Sequence, residues 1–318
     1  MDTHTPFLSN LALHNITVHP SIRPTSIPNS GIGILATSSI PANTQLAFVP
    51  RRSLINPTTL PARPSGSPKL SPHAQLALAL LSPPEKLKTW VATVPADFSS
   101  HPLCWRDEEI FLLPRSVGRL LDDLRTRYEK DRDSVSPVDE ERFKWAWLVV
   151  NTRTLYHPAG GMTMCPFIDY FNHSDSGCKV ELTARGYTVT TQQDIKEGEE
   201  VFVTYGHHSS DFLLVEYGFC PEGNGHDYVA CDGWMEFGEK KEAVIREKGY
   251  WGKWVRDREG WCYRSQVAGG VGGPGYLDGV LGKIREEAKE KISAAEKLQE
   301  GYPKLMLLRR WKQILKLC

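Results

Sequence analysis

No stretch of the chain reaches the roughly 20 consecutive apolar residues that span a bilayer. The opening MDTHTPFLSNLALHN has no basic segment followed by an apolar core. Neither membrane insertion nor export is therefore expected. A charge excess is missing too: Lys plus Arg and Asp plus Glu number 38 each. With no overall field, nothing draws the whole chain onto nucleic acid or an anionic membrane. The seven cysteines (104, 165, 178, 220, 231, 262 and 318) never form CxxC or CxC, so they read as reduced core thiols. No metal is expected, although a zinc site assembled from distant residues stays open. No segment recurs at a fixed period, which excludes a solenoid.

What is present is an ordinary globular composition, 40% hydrophobic and 24% charged over 318 residues, enough for one or two compact domains. GIGILATSSIPANTQLAFVPRRSLI at 31–55 breaks short β-rich runs with glycine, proline and asparagine, which predicts strands joined by tight turns. NPTTLPARPSGSPKLSP at 56–72 carries five prolines and reads as a surface loop. From 73 to about 155 the spacing is helical. VDEERFKWAWLVVNTRTLY is apolar nearly all round through Phe143, Trp145, Trp147, Leu148, Val149 and Val150, so its second half should lie between layers.

Strand signals return from 164 to 220: CPFIDYF, then KVELTARGYTVTTQQDI with a turn at Arg185-Gly186, then EEVFVTYG. Ile40-Pro-Ala-Asn43-Thr-Gln-Leu46 and Ile195-Lys-Glu-Gly198-Glu-Glu-Val201 share an apolar anchor, a residue tolerant of positive φ, and a following strand. They predict one turn-to-strand device used twice. After a flexible GGVGGPG at 269–275, two helices are expected in YLDGVLGKIREEAKEKISAAEKLQE and PKLMLLRRWKQILKLC, their apolar faces packed on this chain.

Three clusters carry chemistry: GIG at 31–33, DYFNHS at 169–174 and VTYGHHSSDFLLVEYGF at 203–219. Each alone has a bland reading. GxG without a third glycine opening a helix is only a permissive turn, Asn-His can be a turn, and Tyr-Gly can end a strand. The adjacent His207 and His208 read as solvated, and Glu197, Glu199 and Glu200 as a charged turn. In this order, however, the clusters resemble the SET-domain protein methyltransferases. WLVVNTRTLY and the long helical stretch before it narrow the resemblance to the branch of Rubisco large-subunit, ribosomal-protein and actin-histidine methyltransferases.

That resemblance implies an α+β protein: a SET fold of short β-sheets with an inserted helical subdomain and a small helical C-terminal region. The boundaries it implies are 1–56 and 151–231 for the two SET parts, 57–150 for the insertion, and 232–318 for a substrate-binding-like region. The cofactor implied is S-adenosyl-L-methionine, approached by Gly31, Ile32 and Gly33, held by Arg153, Asn172 and His173, with Phe219 on adenine. Tyr205 matches the catalytic tyrosine, Tyr217 the lysine channel and Asp169 the substrate mouth. The implied activity is lysine N-methylation of a non-histone, ribosomal or translation-associated protein. A protein-histidine methyltransferase and a non-catalytic SET binding module are the alternatives. A monomer is expected, in the cytosol or alternatively the nucleus, with no direct contact to nucleic acid or membrane. The CxC segment that closes the channel in many SET proteins is missing after Tyr205-Gly206. GFCPEGNGHDY has only Cys220, which leaves the C-terminal helices to complete the channel.

Physical chemistry explains the use of a tyrosine. An amine of pKa about 10.4 is neutral at pH 7 in only about one molecule in 10³, roughly 4–5 kcal/mol of barrier. An aromatic channel and a neighbouring sulfonium both disfavour ammonium. A hydroxyl then has only to aim the lone pair, and rate comes from alignment.

Overall fold

A computed structural model of the chain describes residues 4–318 except 29, 64, 67 and 136. Pro64 and Ser67, within the expected 56–72 loop, lie outside the described residues; the others form no helix or strand up to Ser71, and Pro72 opens the first long helix. In chain order the first elements are α1 (His4–Ser9), β1 (Thr17–Val18), β2 (Ile22–Ile27), β3 (Gly31–Ala36) and β4 (Gln45–Pro50). Helices follow: α2 (Pro72–Leu81), α3 (Glu85–Val91), α4 (Asp107–Ile110), α5 (Arg115–Val135) and α6 (Glu140–Arg153). Then come β5 (Thr154–His157), β6 (Gly161–Met164), β7 (His173–Leu182), β8 (Gly186–Thr190), β9 (Glu200–Val201) and α7 (Ser210–Tyr217). The chain ends with β10 (Val229–Ala230), α8 (Glu239–Glu247), β11 (Val255–Arg256), α9 (Tyr263–Gly272), α10 (Tyr276–Glu296) and α11 (Tyr302–Leu317). The architecture is α+β, as the sequence predicts.

Two compact units share these elements: 1–98 with 127–207, and 99–126 with 208–318. In the first unit the strands form three small sheets, ordered β1-β4-β8-β7, β2-β3-β9 and β5-β6. The paired turn-to-strand devices face each other. Ile40 and Ile195 exchange two backbone hydrogen bonds of 2.8 Å, and Asn43 and Gly198 both take positive φ, 59° and 83°, before β4 and β9. Gly186 closes the expected β7–β8 turn, where a Cβ would run into the Val49 carbonyl of β4. α6 is capped by Asp139, whose carboxylate accepts from the Arg142 amide at 2.8 Å, a cap that contributes about 1 kcal/mol. From Ala146 to Val150 the helix is buried on every side, and α2 packs along it. Its first turn is exposed and Trp145 only half-buried, so the fully apolar reading holds for the second half alone.

Two expectations are corrected in these strands. CPFIDYF is not strand: β6 ends at Met164, and Ile168–Tyr170 is a single 3-10 turn entered through Phe167 at φ 79°. The bland alternative for Asn-His, a turn, does not hold, since His173 opens β7. Only Glu200 and Val201 of EEVFVTYG pair as strand, because the chain beyond them is gripped differently, as described below.

In the second unit Trp234, Trp254, Trp311, Ile284 and Ile314 form one buried core, covering the apolar faces of α10 and α11. Most of the GGVGGPG stretch is helical, with only Gly273, Pro274 and Gly275 between α9 and α10. Gly269 and Gly272 belong to α9, and a Cβ at either would overlap the Leu277 or Tyr276 side chain of α10. Here glycine permits close helix approach rather than motion.

Candidate active site

The first unit brings six of the expected positions into a connected set. β3 lies between β2 and β9, with Gly33 opposite Thr25 and Leu35 opposite Glu200. Gly31 takes φ 73°, a conformation that favours glycine. At Gly33 the reason for glycine is space. A Cβ there would overlap the Glu200 carboxylate and fall 2.8 Å from both Asn172 Nδ2 and Ile27 Cγ1. Asn172 Nδ2 donates to Glu200 Oε1 at 2.7 Å across this spot. Burial pushes the Glu200 carboxyl up from the ordinary range, while the Asn172 hydrogen bond opposes that shift. Glu200 is therefore a site neighbour, not the solvated turn expected from its sequence.

Asn172 and His173 are fixed by the chain that crosses them. Val203 N donates to the Asn172 carbonyl at 2.9 Å, and Cys178 N to the Phe202 carbonyl at 2.7 Å. Val203 thus bridges to both His173 and Cys178, at the two ends of one bend. Gly177 lies in that bend because a Cβ would meet the Val203 backbone. The arrangement aims Tyr205 back at the pair. Its backbone N–H donates to His173 Nδ1 at 3.1 Å, its ring centroid is 5.3 Å from the imidazole, and its hydroxyl donates to the Phe171 carbonyl at 2.8 Å.

Arg153 ends α6, and its Nη1 donates to the Asp169 carbonyl at 2.6 Å and lies 3.4 Å from the Asp169 carboxylate. Trp90, fully buried in α3, donates its indole N–H to both Asp169 oxygens at 3.3 Å. Burial pushes the Asp169 carboxyl up, and the Arg153 charge and Trp90 hydrogen bond pull it back. Asp169 was expected at a substrate mouth. Its carboxylate is 2% exposed, because Arg153 and Trp90 draw it inward as their partner. Arg153 Nε is buried and has no hydrogen-bond partner among the described residues. A buried donor without a partner is costly, so this nitrogen suits an incoming carboxylate. The 3-10 turn that carries Asp169 packs on β3, which ties this pair to the Gly33 strand.

Tyr217 and Phe219 belong to the second unit. Their rings are 6.4 Å apart at the end of α7, where Gly218 takes φ 82° as the left-handed cap. Burial pushes the Tyr217 hydroxyl up to about 12. Of the two adjacent histidines, His207 is exposed, while His208 stacks on Phe212 at 4.2 Å, so only the first fits the solvated reading. No group of three metal-ligand side chains occurs among the described residues.

Sequence reasoning missed Glu200, Trp90 and Phe167. An acidic turn hides the first, and a proline-bounded helix gives no sign that its tryptophan reaches a carboxylate. Phe167 is fully buried, yet its φ of 79° and ψ of −44° resemble a rare strained turn. Nothing in the letters CPFIDYF signals that conformation.

A glycine-lined strand, an arginine whose Nε is a buried spare donor, and a tyrosine held beside an Asn-His pair lie in an α+β scaffold of short sheets. The chain belongs to the SET domain family: the family model "SET domain" matches residues 31–206, more than half its length. It is 32% identical to the ribosomal lysine N-methyltransferase set11 of Schizosaccharomyces pombe over 267 residues, 79% of this chain and 70% of that protein. It is 26% identical to SET domain-containing protein 4 of Mus musculus, covering 65% of this chain and 56% of that one. The chain thus spans little more than half of that relative. Among solved structures, Rubisco LSMT bound to sinefungin and monomethyllysine aligns with a TM-score of 0.70 at 14% identity, covering 100% of this chain and 89% of that one. At that identity the match shows the shared SET fold alone.

Proposed function

We propose that this chain is an S-adenosylmethionine-dependent protein-lysine N-methyltransferase acting on a ribosomal protein. The observation that carries the reading is the placement of Tyr205, its hydroxyl on the Phe171 carbonyl and its amide on His173. Relatives named as ribosomal lysine methyltransferases support the substrate class. Gly31, Ile32 and Gly33 would let the cofactor approach β3, Arg153 would meet its carboxylate, and Asn172 and His173 would hold its polar groups. The bound cofactor would supply a methyl group on a sulfonium. For Tyr217 and Phe219 the assigned roles rest on the motif alone.

The chain's own contribution is alignment. The Tyr205 hydroxyl gives its proton to the Phe171 carbonyl, so toward an amine it acts as acceptor. An amine N–H donated to that oxygen leaves the nitrogen lone pair aimed elsewhere, which is the orientation an in-line transfer needs. The Phe171 carbonyl fixes the tyrosine hydroxyl without supplying a base. No strong base is required once the amine is desolvated.

The test is labelling of an extract that lacks this protein, using the purified chain and methyl-labelled cofactor. Label on a lysine of a ribosomal protein is expected. Label on histidine would overturn the lysine assignment, and absence of cofactor binding at millimolar concentration would overturn the catalytic reading. A monomer in the cytosol, or the nucleus as the alternative, without nucleic acid or membrane contact, completes the proposal. The part that concerns nucleic acid and membrane rests on the balanced charge.

A further inference from the structure

We propose that Glu200 is a positioning residue that holds the Asn172 amide in one orientation for the cofactor, an assignment that rests on the reading of Asn172 above. An ionised carboxylate only accepts hydrogen bonds, and an amide presents one accepting and one donating end. With one Nδ2 hydrogen donated to Glu200 Oε1 at 2.7 Å, the Asn172 amide is fixed with its accepting Oδ1 turned away from the carboxylate. An amide so oriented selects a donor, such as the α-ammonium or the adenine amino group of S-adenosylmethionine.

Three observations separate this from a chance turn contact. Glu200 is set by sheet register, opposite Leu35 of β3, so its position does not depend on a flexible loop. It is half-buried, and no Lys or Arg among the described residues forms an ion pair with it. Desolvating a carboxylate without a countercharge is unfavourable, so a merely structural position would be better served by a neutral side chain. Finally, Gly33 leaves open the space that the Glu200–Asn172 bond crosses. Three residues from separate segments are thus adjusted to one hydrogen bond.

The test is a double-mutant cycle in the full chain, read as calorimetric affinity for S-adenosylmethionine, with melting midpoints alongside. Glu200→Gln keeps the shape but can turn its own amide either way, so it should weaken binding about five- to tenfold, equivalent to roughly 1–1.4 kcal/mol. In an Asn172→Ala background the same change should add little, because the residue it positions is gone. Glu200→Ala should match Glu200→Gln in affinity if positioning is the role. Wild-type affinity in Glu200→Gln, or a loss that adds fully to that of Asn172→Ala, would overturn the assignment. Unchanged affinity in Asn172→Ala would overturn the cofactor role of Asn172 and this proposal with it. Failure of the wild-type chain to bind cofactor would instead overturn the functional reading.

Discussion

The Tyr205 hydroxyl is fixed by its bond to the Phe171 carbonyl, and its backbone by His173. Tyr205→Phe keeps the ring and the His173 contact while removing the oxygen that aligns the amine. Transfer should fall about 10- to 100-fold, or the number of methyl groups added should change, at unchanged S-adenosylmethionine affinity. Mass spectrometry of the product and calorimetry check both halves, and a normal rate with a normal product would remove Tyr205 from its role. Gly33→Ala acts on the other side of the site. Its Cβ must displace Asn172 or Glu200, so cofactor affinity should drop while stability falls by about 1–3 kcal/mol. That Tyr205 would lie against the Asn172-His173 pair was legible because the motifs that carry them keep a fixed order along the chain. Glu200 was not. One glutamate among three in a turn gives no sign that a glycine 167 positions earlier lacks a Cβ where its carboxylate lies.

Between α2 and α6 a titratable ring is packed into the core. His73 stacks on Trp147 at 4.0 Å with its Nε2 2.8 Å from the Trp147 carbonyl, and burial lowers its pKa from 6.5 to about 4. The folded protein therefore holds His73 neutral, while the unfolded chain takes up a proton below pH 6.5. Its share of stability is fully present above pH 6.5 and is lost as pH falls toward 4, on the order of 3 kcal/mol at most. Denaturant titrations from pH 7 to pH 4.5 should show that slope, and His73→Leu should flatten it. The α9–α10 contact offers a test against propensity. Gly269→Ala should stabilise by about 1 kcal/mol if helix propensity ruled, yet the Leu277 side chain occupies the Cβ position, so a loss of about 1–3 kcal/mol is expected. Helices with clear periodicity and the Arg185-Gly186 turn were readable, because local spacing determines them. That the glycine-rich run is largely helix was not readable, since what it fits against lies in the next helix and not in its own composition.

At the scale of the whole molecule, each unit is closed by residues far apart in sequence. Trp311 in α11 donates its indole N–H to the Leu112 carbonyl across a separation of 199 residues. No window of sequence reports such a pairing, which is why α11 could be recognised as apolar without its partner being known. The same helix carries Arg310, fully buried, whose Nε donates to Asp211 of α7 at 2.5 Å and Nη1 to Asp227 at 2.6 Å. Its Nη2 donates to the Tyr228 carbonyl at 3.0 Å. The network joins α7, the segment after it and the final helix, so α7 is held at one end by ions and capped at the other by Gly218. Removing the cation alone strands two buried carboxylates. Arg310→Met should therefore cost about 3–5 kcal/mol, and hydrogen exchange should show α7 losing protection. Replacing all three partners with neutral residues of similar size should return most of the loss, because burying the ion triad was itself unfavourable. If Arg310→Met melted as the wild type does, the triad would not hold α7 to α11. Recovery in the triple variant would locate the cost in the stranded charges rather than in lost packing.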